Sequence, residues 1–500
     1  MYSVVVGLRR SCLNYSTASY DRYLPYPGGH GLYFHAIGTP QRQDVCYLFQ
    51  PTYPEWYYQP AVSPDGCWLA VSVLNGSASN LLFVGRTDSP TYAVVPRFVG
   101  RYDILHWRGD ELICRAVEPN APNGQLIAFG LPGGERTTTL LAAGDLPLRD
   151  AAPLSDGWVA SYLNAGCAEL HWCDGTGKFR ERLPLPGLGT VEWMETDISA
   201  NRLRFAYTDY THPQTVYTWQ PGETVCRAED DAPAPPFDPA DFVTRSATAP
   251  SADGTPVPLF LAQRRDVTPT DCPTLLTAYG GLGVALTPRF SADILAWLEM
   301  GGLFVSVCAR GGGELGAAWH QAAVGVHKQR TFDDVLAAAR WLVDAGMTTP
   351  QQLGLWGASN GGLTAGACLT QQPELFGAVV IESGLLDMLD YHRLSRGAGW
   401  LAEYGNPDDP AQRAALAAYS PLHNLQPGRV YPPTLIATSA NDPRLGESHS
   451  LRFAHALQSA QRGDAPVFLR VHPGSGHGPM DDEWAAERLT FLAEHLGIER

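Results

Sequence analysis

The chain lacks positive charge. Its 35 Lys+Arg stand against 51 Asp+Glu, a formal charge of −16 over 500 residues. A basic footprint for nucleic acid or an anionic membrane surface is therefore excluded as its main business. It also lacks any run of 18 apolar residues that could cross a membrane. The opening MYSVVVGLRRS has a short apolar stretch followed by Arg9 and Arg10, the wrong order for a signal peptide, so a cytoplasmic location is expected. Cysteine is thin: ten residues are scattered with no CxxC pair, which argues against a disulfide framework or a zinc ribbon and for free thiols. No GK[ST] follows the glycine run ARGGGELG, and no dinucleotide signature is present. His320 and His327, near Asp333 and Asp334, have no zinc-like spacing, and solvated or capping roles are expected for them. No cofactor and no metal are expected.

What is present is glycine and proline, 51 and 40 residues, in a chain that is 45% apolar. That mixture is globular and rich in tight turns. Residues 1–20 read as an N-terminal segment. From 21 to 228, apolar strands of four to eight residues alternate with turn clusters such as SPDG, PNAPNG and SDG. Four similar blocks, SPDGCWLAVSV, RGDELICRAV, SDGWVASYL and SANRLRFAYT, recur about every 45 residues, the period of a propeller blade. A shortened β-propeller of about four to five blades is expected, with a β-sandwich as the alternative. The Pro- and acid-rich stretch 229–241 reads as a linker. From 242 to 500 the rhythm changes to strands buried on both faces (PTLLTAY, LFVSVCA, LGLWG, AVVIES, PTLIATS, VFLRVH) separated by helical segments. That alternation predicts a doubly wound, mostly parallel sheet of the α/β-hydrolase kind.

Gly357-Ala358-Ser359-Asn360-Gly361 is G-x-S-x-G, at the end of one such strand and the start of a helix. The sharp turn requires tiny neighbours and lifts a serine hydroxyl above the sheet. A hydroxyl needs a base to become a nucleophile. In this fold the partners follow in the order Ser, Asp, His. His477 lies in a glycine loop directly after the last strand, with His472 as the weaker competitor. Asp442 is the only carboxylate in the loop after PTLIATS. The expected triad is Ser359, Asp442 and His477.

These residues sit within a longer series: AYGGLG (278–283), ARGGGELG (309–316), KQRTFDDV (328–335), GASNGGL (357–363), YSPLHN (419–424), NDPR (441–444) and GHG (476–478). In order and spacing the series resembles the prolyl oligopeptidases, serine peptidases with an α/β-hydrolase domain and a β-propeller lid. The resemblance implies the same triad. It also implies an oxyanion hole made by the Asn360 N–H and the Tyr279 phenol, and a pocket in which Trp400 stacks on proline. Tyr404 is expected to line that pocket and Arg444 to bind a substrate carbonyl. Leu282 stands where the family usually has Phe, thinning one wall. The family's propeller is larger than the stretch seen here, and an incomplete edge would invite self-association. The expected function is cleavage of short peptides after proline through an acyl-enzyme. The alternatives are an esterase, an acyl-peptide hydrolase or a biosynthetic acyltransferase or cyclase with the same triad. A non-catalytic propeller binding protein is the second alternative. A short peptide or acyl compound is the expected partner, not nucleic acid or membrane.

Overall fold

The computed structural model describes residues 3–7, 10–16, 30–50, 52, 56–74, 79–89, 92–95, 100–229, 235–474, 476–477 and 481–498. The first half forms five consecutive four-stranded sheets, the make-up of propeller blades. Residues 1–20, read from sequence as a segment ahead of the blades, include two strands of the first sheet, Ser3–Gly7 and Arg10–Ser16, joined as a hairpin.

Strand alternation explains how the blades are built. In Glu111–Glu118, Leu112, Cys114 and Ala116 enter one apolar cluster with Trp68, Leu82 and Val84 of the preceding sheet. The intervening Ile113 enters another, with Leu148, Ala151 and Trp158 of the following sheet. Side chains at a period of two thus fill the cores on both faces of a central strand. Asn80 stitches two sheets together: its Nδ2 donates to the Tyr102 carbonyl at 2.7 Å and its Oδ1 accepts from the Tyr102 N–H at 2.7 Å.

The chain divides into two compact units. One takes Met1–Tyr162 with His171–Glu181, the other Leu163–Leu170 with Arg182–Arg500. The division falls within the fourth sheet, whereas the sequence reading puts the join at 229–241. The fifth sheet belongs to the second unit through specific bonds. Thr190 Oγ1 donates to the Pro288 carbonyl at 2.7 Å, Arg289 pairs with Glu192 at 2.6 Å, and Tyr210 meets Phe304 edge-on at 5.2 Å.

The second unit carries an eight-stranded sheet. Its order is Phe242–Pro250, Pro256–Arg264, Leu303–Val307, Thr274–Ala278, Leu353–Ala358, Ala378–Glu382, Thr434–Ser439 and Val467–His472. The first two strands pair antiparallel, turning at Gly254 with φ +82°, and the last six run parallel. Helices Gln329–Asp344, Asn360–Gln371 and Ser448–Ala460 bury Phe332, Leu363 and Phe453 on one face with Leu276, Val305 and Ile381. Helices Ala292–Glu299 and Asp482–Leu496 bury Trp297, Trp484 and Leu492 on the other with Leu275, Phe304 and Val380. This is the doubly wound sheet read from the strand and helix rhythm. Nine cysteines, from Cys46 to Cys368, are free, and six of these are buried. No helix among the described residues is long and apolar enough to cross a membrane.

Candidate active site

The elbow is built by steric necessity. Ser359 ends the strand Leu353–Ala358 with φ +59° and ψ −119°, a strained conformation for a residue with a side chain. A Cβ on Gly357 would lie 2.0 Å from the Gly361 carbonyl oxygen, and one on Gly362 would lie 2.7 Å from the Gly384 Cα. The Ser359 N–H donates to the Glu382 carbonyl at 2.8 Å, which fixes the turn against the neighbouring strand.

Asp442 and His477 lie just beyond the last two strands of the sheet, Thr434–Ser439 and Val467–His472, and the three side chains meet. His477 Nε2 is 3.0 Å from Ser359 Oγ, and His477 Nδ1 is 2.9 Å from Asp442 Oδ2. Asp442 Oδ1 accepts from the Arg444 N–H at 2.8 Å and the Leu445 N–H at 3.1 Å. Burial pushes the Asp442 carboxyl up, but the imidazole and the two N–H donors outweigh it and hold it below the usual carboxylate range. His472 points elsewhere: it is buried and packs edge-on to Trp484 at 5.3 Å.

Tyr279 directly follows the strand Thr274–Ala278, and its phenol is near enough to Ser359 for the serine to act on its pKa. Burial raises its pKa while Ser359 and the Arg444 charge pull the other way, so the phenol keeps its proton and remains a donor. Asn360 is fully buried. Its Nδ2 donates to the Tyr279 carbonyl at 2.5 Å, so the side chain of one expected oxyanion donor braces the backbone of the other. Thr364 Oγ1 donates to the same carbonyl at 3.1 Å.

The residues expected in a substrate pocket are spread differently. Tyr404 is 1% exposed, and its hydroxyl donates to Asn360 Oδ1 at 2.8 Å, so its polar end serves Asn360. Trp400 is partly buried against the core under the helical face. Arg444 is exposed, and its charge acts on Tyr279. Leu282 is partly buried with φ +58°, and its N–H donates to Glu403 Oε1 at 2.7 Å.

Sequence reasoning missed Glu403, which organises the loop after Tyr279. It also accepts from His320 Nε2 at 2.7 Å, and Lys328 Nζ lies 3.6 Å away. Lys328 donates to the Gly280 carbonyl at 2.6 Å. Burial pushes Glu403 up, and His320, Lys328 and the Leu282 N–H more than offset this, keeping it ionised. His320, expected to be solvated or capping, is thus buried and bonded to a carboxylate. Asp334 is likewise fully buried, in a bidentate pair with Arg310 that anchors the glycine run ARGGGELG. The available signal was position: Glu403 lies between Trp400 and Tyr404, and Lys328 opens KQRTFDDV.

Comparison with known proteins adds the following. A family model described as "Prolyl oligopeptidase family" matches residues 288–499, and "Prolyl oligopeptidase, N-terminal beta-propeller domain" matches residues 8–225. The chain is 31% identical to a prolyl endopeptidase of Elizabethkingia miricola, over 94% of this chain and 68% of that protein. It is 30% identical to a dual function macrocyclase-peptidase of Galerina marginata, over 93% of this chain and 67% of that protein. Among solved structures it is similar to a prolyl endopeptidase with TM-score 0.89 at 27% identity, covering 100% of this chain and 75% of that one. The prolyl oligopeptidase B of Galerina marginata, bound to a 35mer hydrolysis and macrocyclization substrate, matches with TM-score 0.88 at 25% identity, over 100% of this chain and 73% of that one.

Proposed function

The chain belongs to the prolyl oligopeptidase family, and from that premise we propose that it is a serine peptidase cutting short peptides after proline, with Ser359 as nucleophile. The observation that carries the reading is the imidazole of His477 standing 3.0 Å from Ser359 Oγ and 2.9 Å from Asp442 Oδ2.

The steps follow from that geometry. His477 Nε2 takes the hydroxyl proton as Ser359 Oγ bonds to the substrate carbonyl carbon. Asp442 holds the tautomer that leaves Nε2 free to accept and steadies the imidazolium. The carbonyl oxygen becomes an oxyanion, received by the Asn360 N–H and the Tyr279 hydroxyl. One such donor is worth about 2.7–4 kcal/mol. The carbon–nitrogen bond then breaks, and the imidazolium gives its proton to the departing amine. Water, deprotonated by the same imidazole, releases the acid and restores Ser359. Trp400 offers a flat apolar face that suits a proline ring, and Arg444 offers a cation for a substrate carbonyl.

The Galerina relative named as a macrocyclase-peptidase supports a second outcome on the same acyl-enzyme, in which a peptide amine replaces water. The test pairs labelling with kinetics. A small fluorophosphonate should modify Ser359 in the wild type and not in Ser359→Ala. Internally quenched peptides with proline before the scissile bond should be cut at least tenfold faster than alanine counterparts. An unlabelled wild type would overturn the nucleophile assignment. Equal rates for proline and alanine would overturn the substrate class.

A further inference from the structure

Ser359 and His477 also border a cavity of about 460 Å³. Its apolar lining comes from Trp356, Trp484, Leu286, Ala358 and Ala485. Among the described residues, Leu282, Trp400, Tyr404 and Arg444 are not part of its lining. The space is therefore distinct from the pocket assigned to the acyl side of the substrate.

Three polar atoms of residues lining this cavity are buried with no hydrogen-bond partner: Trp356 Nε1, Ser383 Oγ and Arg488 Nε. All three are closed off from solvent, so they sit behind the cavity wall and do not face its open space. The surroundings hold these groups in place. Arg488 donates through Nη1 to Glu382 at 2.6 Å and through Nη2 to Asp293, and its guanidinium carbon lies 4.1 Å from the centre of the Trp356 ring. Trp484 Nε1 donates to the same Glu382 oxygen at 2.9 Å. Both indole planes are thereby fixed, and the cavity wall is a rigid frame.

Position decides what the cavity receives. The imidazole hands its proton to the departing nitrogen, so the amine side of the scissile bond lies against His477. Asp481, Trp484 and Arg488 line the same cavity as His477. Its volume falls within the range of about 300–1,000 Å³ for ligand sites and holds one large side chain with its peptide group. Asp293, Asp481 and Asp482 line the same space and disfavour a negative occupant. We propose that this cavity is the subsite for the residue immediately after the scissile bond, and that it takes a bulky uncharged side chain, aliphatic or aromatic. The inference rests on the peptidase reading above and adds to it a preference on the leaving side.

The test uses the full chain and four peptides differing only in the residue after proline: Gly, Leu, Phe or Glu. Leu and Phe should exceed Gly in kcat/KM by about tenfold or more, and Glu should fall below Gly. Ala485→Phe, which fills the cavity, should bring the Phe-to-Gly ratio near one. Fluorophosphonate labelling of Ser359 verifies that the variant is folded, and the wild-type ranking alone decides whether the subsite exists. Equal wild-type rates on Gly, Leu and Phe, with cleavage intact, overturn this inference and leave the peptidase reading standing. An Ala485→Phe enzyme that keeps the full ratio overturns the location. Failure to cut any of the four peptides overturns the peptidase reading itself.

Discussion

The hydroxyl of Tyr404 donates to Asn360 Oδ1 at 2.8 Å, and Asn360 in turn donates to the carbonyl of Tyr279 at 2.5 Å. Tyr404 therefore acts on the oxyanion donors through Asn360. Tyr404→Phe leaves a fully buried amide oxygen without its donor, at a cost of about 1–3 kcal/mol. If that strain falls on the transition state, kcat drops about tenfold or more while KM changes little. Steady-state kinetics on a proline peptide decide. A rise in KM with kcat unchanged would instead make Tyr404 a wall of the substrate pocket.

Asp442→Asn separates charge from shape. An asparagine can still accept the Arg444 and Leu445 N–H groups that hold the loop. What goes is the negative charge facing the imidazolium and the preference for the correct tautomer. A fall in kcat of about 10⁴-fold is expected, with little change in thermal midpoint. A loss under tenfold would remove Asp442 from the catalytic group.

His449 predicts an acid-side instability. It is buried on the helix Ser448–Ala460, and its Nδ1 accepts the Asp387 N–H at 3.1 Å. Burial pushes its pKa down to about 4, against the pull of the Asp387 and Asp442 carboxylates. Between about 6.5 and 4 the unfolded chain holds more protons than the folded one. Stability from this group is thus present above the ordinary histidine value and lost as the pH falls, by roughly 3 kcal/mol in all. His449→Gln, which keeps an acceptor, should flatten the difference in denaturant midpoint between pH 7 and pH 4.5. Parallel losses in both proteins would refute the assignment.

The two kinds of residue at this site differ in how far they could be read from the chain. Ser359, Asp442 and His477 each follow a strand of a parallel sheet, so order along the chain becomes proximity in space, and local turn chemistry marks each one. The α/β rhythm was legible for the same reason: continuous apolar runs and helical spacing are local patterns. Glu403, Lys328 and His320 carry no such mark. They come from three separate segments, and their contact depends on tertiary packing that no periodicity encodes. A polar residue met in sequence defaults to a solvated face, which is why the burial of His320 and Asp334 went unforeseen. The strands within 1–20 were hidden by brevity. Strands of five and seven residues give little alternation to count.

Lys328 supplies an alkaline test of the loop that carries Tyr279. Its ammonium is fully buried, bonded to the Gly280 carbonyl at 2.6 Å and 3.6 Å from Glu403. Burial pushes its pKa down to about 8, with Glu403 acting against that shift. From about 8 to the ordinary lysine value near 10.4 the unfolded chain holds more protons. On this group's account folding therefore becomes more favourable as the pH rises through that window, by up to roughly 3 kcal/mol. The same deprotonation removes the charge that faces Glu403, so the loop loosens while the chain as a whole gains. Lys328→Met abolishes both effects. Denaturant midpoints at pH 7 and pH 9.5 should show the wild type gaining relative to the variant. The activity of the wild type should decline over that interval by more than the variant's does. A stability difference that stays constant across that range would mean the ammonium remains charged there, and that Glu403 dominates over burial.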